Sequence, residues 1–279
     1  MRKRKLRTKP VLKYFCLIII VGIFLFPVIY MIMNSVMSTR EIINSYNTSV
    51  DNFAKLKLIP EKFTLEQYYQ AFFRRPTFLN MFWNSMILTL PIVTFQFLIS
   101  CFAAFAFSKF KFPGRDKIFF VLIILLIMPL QVTLVPNYIV LDKFNLLNTI
   151  SGIVIPGSFS AFGICLLRQN MRYVPNDTIE AAKSDGASYF KILFRIVLPQ
   201  IKGGLAALLI LVFIDNWNMV EQPLIYLRDK LKYPLSIYLS EMGNSDVGIV
   251  FACGVIFMVP ALIIFFIFEE EFVSESIVK

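Results

Sequence analysis

Long apolar runs dominate this chain, rather than the helical periodicity of a surface helix or the alternation of a half-buried strand. Runs at about 14–34, 83–107, 118–138, 149–167, 203–221 and 248–268 are each close to the ~20 residues an α-helix needs to cross a bilayer core. Backbone groups in hydrocarbon must be satisfied within their own segment, which selects helices. The pattern predicts an all-α, polytopic membrane protein with six transmembrane helices.

The polar segments between the runs complete the plan. Residues 1–13 form a basic tail, 14–34 the first span, 35–82 an outer segment, 83–268 the transmembrane core and 269–279 a tail. A cleaved signal peptide would have a shorter apolar core, about 7–15 residues, ending at an Ala-x-Ala-like site. The run from Tyr14 is longer and lacks that site, so it reads as a retained span. Short basic loops mark the cytoplasmic side. Arg2, Lys3, Arg4, Lys5, Arg7, Lys9 and Lys13 precede the first span. Lys109, Lys111, Arg115 and Lys117 follow the second, and Arg168, Arg172, Lys183, Lys191, Arg195 and Lys202 follow the fourth. Between spans three and four only Lys143 is basic. The alternation puts both termini in the cytoplasm. Glu269, Glu270 and Glu271 fit that rule less well, although acidic residues weigh little in it.

Local signals refine the segments. Thr64-Leu65-Glu66-Gln67 has the form of a capping box, followed by Tyr68, Tyr69, Phe72 and Phe73, and predicts a short amphipathic helix with a packing role. Asn47-Thr48-Ser49 matches a glycosylation acceptor, a weak three-residue signal. Pro129 and Pro136 in span three and Pro156 in span four remove backbone donors, giving either broken helices or tolerated kinks.

The loop at about 175–200 is the most patterned polar stretch. Asp177 is placed as an N-cap, with Glu180 at the third helical position to complete a capping box. Ala181 and Ala182 offer a small-residue surface for close approach, and Gly186 suits the left-handed residue that ends a helix. A second helix is expected from Ser188, with Phe190, Leu193, Phe194 and Val197 on its apolar face and Lys191 and Arg195 on wetter sides. Pro199 breaks that helix or starts the next. An interfacial connector is the plain alternative. The first helix, short and acidic at its start, suits a protein partner better than lipid.

Composition narrows the chemistry. The chain is 57% hydrophobic and 16% charged, against about 25% charged residues in a soluble domain. Its net charge of +10 sits beside apolar runs, which explains it by membrane orientation rather than nucleic acid. There is no histidine, so the commonest general base and metal ligand is missing. Cys16, Cys101, Cys165 and Cys253 lie in apolar runs without metal-ligand spacing and read as small hydrophobes. No metal site or catalytic residue is predicted. A phosphate loop is absent as well. Gly152 and Gly157 have the glycine spacing but are followed by Ser158, and Gly243 and Gly248 by Ile249.

Glu180-Ala181-Ala182, then Gly186, then Leu198-Pro199, resembles the EAA loop of ABC-importer permeases. Ser160-Ala161-Phe162-Gly163, Leu166-Leu167-Arg168-Gln169, the stretch from Ala106 to Arg115, the stretch from Met128 to Pro136, Trp217-Asn218 and Pro223-Leu224 are similar to the carbohydrate-importer branch, the MalG-like permeases. The resemblance runs from about Thr64 to the C-terminus. The chain departs from the family at Cys165, where an aromatic is usual, at Gly203, where a second proline is usual, and in the tail with Ser274 and Ser276.

The resemblance implies a type I ABC importer permease fold. The EAA loop would be a coupling element docked on an ATPase, with Glu180, Ala181, Ala182, Asp185 and Gly186 in that role and Phe190 and Pro199 beside them. It implies a second homologous permease as heterodimer partner, two nucleotide-binding ATPase subunits and an extracytoplasmic substrate-binding protein in a bacterial cytoplasmic membrane. ATP and Mg would sit on the ATPase, and this chain would bind no cofactor and no nucleic acid. A neutral sugar needs hydrogen-bonding side chains and aromatic faces. Candidates are Gln131, Asn137, Tyr138, Ser158, Ser160, Asn216, Trp217 and Asn218, each of which also suits helix packing or the interface. Asp215 and Glu221 are more suggestive, with a salt bridge to the companion permease preferred. The alternatives are a permease for a polyol or peptide, a channel, or a membrane enzyme acting on lipid-linked substrates, which should show clustered carboxylates or metal ligands.

Overall fold

Apolar side chains on every side of a helix favour burial or lipid, and this chain is helical almost throughout. A computed structural model describes residues 8–46, 57–74, 76–241 and 247–278, with side chains described from 13 to 271 inside those ranges. Asn47-Thr48-Ser49 and the basic residues from Arg2 to Arg7 lie outside the described residues. Two compact units are present: residues 1–78 with 241–257, and 79–240 with 258–279.

In the first unit, α1 (Thr8–Ser35) and α2 (Thr39–Tyr46) precede α3 (Glu66–Tyr69), which continues as a π-helical turn to Arg74. Much of α1 is bare, Phe24 being 75% exposed, as a lipid-facing helix requires. Its end is polar and packed. Asn34 is buried, donates to the Tyr30 carbonyl at 2.8 Å and accepts from the Tyr46 hydroxyl at 2.8 Å. Glu41 is held by Lys57 at 2.8 Å and by the Glu61 N–H at 2.7 Å. Burial alone would push the Glu41 carboxyl up, but these partners outweigh it and hold it below the usual carboxylate range. The capping box at Thr64 does not form. Leu65 is the N-cap, and buried Gln67 turns away to donate to the Thr39 hydroxyl at 3.3 Å. This short helix is thus placed by packing.

The second unit holds most of α4 (Pro76–Lys109). It continues with α5 (Arg115–Ile127), α6 (Leu130–Lys143), α7 (Ser151–Gly157), α8 (Ala161–Arg172), α9 (Asn176–Ser184) and α10 (Tyr189–Ile192). A π-helical turn, Leu193–Val197, joins α10 to α11 (Leu198–Gln200); α12 (Lys202–Trp217), α13 (Glu221–Tyr226) and α14 (Leu235–Glu241) follow. The last helix, α15 (Val247–Val278), runs through Glu269–Glu271, so the segment expected as a separate tail continues the helix.

Among the described residues four helices are long and apolar enough to cross a membrane, or six if each of two bent pairs counts as one span. Of the two readings of the prolines in span three, a tolerated kink or a broken helix, the structure has the break: α5 and α6 meet at 107°. Pro129 is the cause. It lacks an N–H, and it forces Met128 into an extended conformation (φ −66°, ψ 127°), which ends α5. Span four is interrupted at Ser158–Ser160, after Pro156, and Ser160 restarts it by accepting from the Gly163 N–H at 3.2 Å. Span five ends at Trp217 rather than at residue 221, and the loop helix ahead of it lies at 85°.

Candidate functional site: a capped loop and a polar cavity

The loop is built from its own sequence outward. Pro175 (φ −61°, ψ 138°) precedes α9, so the helix opens before Asp177, which sits in the first turn. Asp177 is therefore not the N-cap, and Glu180 lies beyond the third helical position. A proline with φ already near −65° can lead into a helix without a side-chain cap, and Asp177 still complements the positive helix end. The other end is as expected. Gly186 takes φ +78° and donates to the Lys183 carbonyl at 2.9 Å, while the Ala187 N–H reaches the Ala182 carbonyl at 2.9 Å. These two bonds make a Schellman motif, which satisfies the final carbonyls and stops the helix. The Ser188 hydroxyl then accepts from the Lys191 N–H at 3.4 Å and starts α10.

Burial sorts the loop residues into two sets. Glu180, Ala181, Asp185 and Gly186 are exposed. Ala182, read from sequence as part of the outer surface, packs inward with Ala187. They rest on Ile179, Ile192, Leu193 and Val197, which join Cys101 and Phe105 of α4, Leu167 and Met171 of α8, and Leu208 of α12 in one buried cluster. The expected apolar face of the second helix is split. Leu193 and Val197 are buried, whereas Phe190 and Phe194 are 67% and 48% exposed and meet Phe102 edge-on at 5.9 and 6.1 Å. Ile192, unassigned from sequence, is fully buried with Val197, so the face that packs inward is turned away from Phe190 and Phe194. Pro199 is exposed at the start of the short α11, and the chain turns at Ile201 into α12.

Lys109 ties the end of α4 to this loop, donating to the Val174 carbonyl and, at 3.1 Å, to Asn176 Oδ1. Gly204 of α12 lies so close to α8 that a Cβ would fall 2.7 Å from the Asn170 side chain. The loop is thus footed on rigid helix ends rather than hung from a flexible tether.

A cavity of about 710 Å³ lies where the helices break. Asn137, Ser160 and Asn216, predicted from sequence, line it. The other candidates do not. Gln131 donates to the Glu221 carboxylate at 3.1 and 3.3 Å, and the Ser158 hydroxyl is spent on the Val154 carbonyl at 2.6 Å. Asn218 donates back to the Ile214 carbonyl at 2.8 Å. Trp217 is 1% exposed and stacks on Phe213 at 5.4 Å, a core role. Tyr138 is half-buried outside the lining.

The sequence reading missed Gln96, Thr133, Gln222 and Tyr226, which also line the cavity, and the aromatic faces of Phe159 and Phe162. Gln96 had a usable signal. It is a lone amide in an apolar run, and such a group needs a partner in the membrane. It finds the Gly157 carbonyl beside the break at Pro156. Asp215 lines the cavity too, and among the described residues no lysine or arginine does. Among the described residues no cluster of His, Cys, Asp or Glu is able to hold a metal ion.

Residues 71–269 match the family model described as "Binding-protein-dependent transport system inner membrane component". The chain is 27% identical, over 97% of its length and 96% of the relative's, to an arabinooligosaccharides transport system permease protein of Halalkalibacterium halodurans. It is 26% identical to a lactose transport system permease protein of Rhizobium radiobacter, over 96% and 95% of the two chains. An sn-glycerol-3-phosphate transport system permease protein of Brucella abortus is 27% identical over 92% and 93%. The fold matches a chain of a bacterial ABC transporter involved in import of the acidic polysaccharide alginate, with a TM-score of 0.80, 22% identity and coverage of 97% and 98%.

Proposed function

The chain belongs to the family of binding-protein-dependent transport system inner membrane components, and on that premise we propose that it is a multi-pass permease subunit of an ATP-driven importer for a sugar or oligosaccharide. The observation that carries the coupling part is the loop: a helix stopped by a Schellman turn, bare on its outer side and fixed from below by a buried cluster. In this reading Glu180, Ala181, Asp185 and Gly186 meet a separate ATPase subunit, and Ala182 sets the packing beneath. ATP and Mg belong to that partner, since this chain has no phosphate loop. Closure of the ATPase pair moves the loop, and α8 and α12, packed on its foot, carry the motion into the spans. The complex is completed by a second permease and an extracytoplasmic binding protein, with both termini of this chain cytoplasmic.

The cavity supports a neutral, hydroxyl-rich solute. Its lining combines amides and hydroxyls with Phe159 and Phe162, and Asp215 is the one acidic or basic side chain among the described lining residues. A phosphorylated polyol, such as the sn-glycerol-3-phosphate in the name of one relative, would meet like charge there. The coupling role is tested at Gly186. Nothing lies within 4 Å of a Cβ built on it, so a large side chain obstructs only a partner, apart from the local strain of a left-handed residue. With Gly186→Ile, nucleotide-dependent uptake in vesicles holding the complete complex is expected to fall by about tenfold or more, with less ATPase copurifying. Unchanged assembly and uptake would refute the coupling role.

A further inference from the structure

Two segments outside the coupling loop and the cavity, 107–115 and 168–172, come together with the start of α9. They line a polar pocket of about 240 Å³ that includes Lys109, Arg115, Arg168, Arg172 and Asn176. We propose that this pocket is a phosphate-binding site that takes the headgroup of an anionic phospholipid from the cytoplasmic leaflet. The proposal rests on the reading of the loop side as cytoplasmic.

The charge balance points to a missing anion. Four cations and no carboxylate line the pocket among the described residues, and nearby Asp116 is already bound to Arg115 at 3.0 Å. Arg172 has no hydrogen-bond or ion-pair partner among the described residues. Lys109 and Arg168 are held in place rather than neutralised. Lys109 donates to the Val174 carbonyl and to Asn176. Arg168 donates to the Phe107 carbonyl at 3.3 Å and its guanidinium carbon lies 3.5 Å from the Phe119 ring centre. Pre-positioned guanidinium forks match the oxygens of a phosphate, and like charges crowded this closely are relieved when an anion enters.

The setting favours a lipid over a free ion. From Arg115 the helix α5 runs directly into an exposed apolar segment, with Ile118 50%, Phe120 62% and Val121 52% exposed. A headgroup in the pocket therefore has acyl chains alongside α5, and basic pockets between membrane helices attract such headgroups. The bound phosphate would bridge the ends of α4, α5 and α8, the helices on which the coupling loop stands.

Native mass spectrometry of the complete importer, titrated with phosphatidylglycerol, tests this, with phosphatidylcholine and inorganic phosphate as separate arms. Wild type should retain one more tightly held phosphatidylglycerol per copy of this chain than Arg172→Gln, whose side chain is exposed and whose loss should not disturb folding. Each cation removed should weaken retention about fivefold. Arg172→Lys, which keeps the charge and loses the fork, should fall between the two. Displacement of the lipid by inorganic phosphate would support the anion site and assign it to free phosphate. Equal retention by wild type and Arg172→Gln would overturn the proposal. So would loss of copurifying ATPase in Arg172→Gln with lipid retention unchanged, the mark of a protein-docking patch. Wild-type uptake, measured in parallel, judges the importer reading independently.

Discussion

The coupling loop and the cavity are both made from helix ends, but they are assembled over different distances in sequence. The turns of the loop close on themselves, although its foot is tied across 65 residues by Lys109 to the Val174 carbonyl. Its stop consists of hydrogen bonds from Gly186 to Lys183 and from Ala187 to Ala182, and its restart of one bond from Lys191 to Ser188. The cavity is closed by remote pairs: Gln96 with Gly157, 61 residues apart, and Thr89 with the Asn216 carbonyl, 127 residues apart. A short-range element keeps its shape when its neighbours move, which suits a part that transmits force. A site built from remote pairs changes whenever its walls shift, which suits a path that must open and close.

Three substitutions would break or sharpen that contrast. The largest effect is expected at Leu193, 1% exposed beneath the loop. Leu193→Ala should cost about 3 kcal/mol by leaving a hole, release hydrogen-exchange protection across α9 and α10, and abolish most uptake. If protection there were unchanged, the loop would not depend on its buried foot. Asp215→Asn should leave stability within about 0.5 kcal/mol while shifting the KM for the transported solute by about fivefold, the scale of one hydrogen bond. An unaltered KM in nucleotide-driven uptake would remove the carboxylate from the path. The smallest effect is expected at Ser188. Loss of its cap in Ser188→Ala should cost about 1 kcal/mol, fray only the start of α10, and be recovered by Ser188→Asp. Loss of protection reaching the cavity helices would show that the two regions are not separately built.

The same contrast explains what was legible beforehand. The helix stop at Gly186 and the helix start at Ser188 are legible because each acts through neighbours within a few positions, whereas Pro199 lies inside the helical run Tyr189–Gln200, which turns only at Ile201. Asp177 was misplaced because Pro175 had already opened the helix. Ala182 packs inward, and Phe190 and Phe194 stay exposed, because the helices beneath the loop choose the buried face, through Cys101, Leu167 and Leu208, and no local pattern announces that choice. In the cavity Asn137, Ser160 and Asn216 were found, while Trp217 went to the core and Gln96 was overlooked. Helices that are apolar all round carry no polarity gradient from which to read which face turns inward.

The sequence by itself settled that the chain is helical and spans a membrane, and where the loop helix stops; it flagged the prolines but not which would break a helix, as Pro129 does, and which would lie inside one, as Pro136 does in α6. Those outcomes rest on hydrocarbon length, backbone donors and one glycine's freedom at positive φ, all local quantities. Only the tertiary structure decided the 107° and 85° bends, the side chains that share the cavity, and the meeting of Lys109, Arg115, Arg168 and Arg172 around one pocket. Those depend on which helices pack together, and in apolar segments that choice is made by shape and by remote polar pairs rather than by any pattern along the chain.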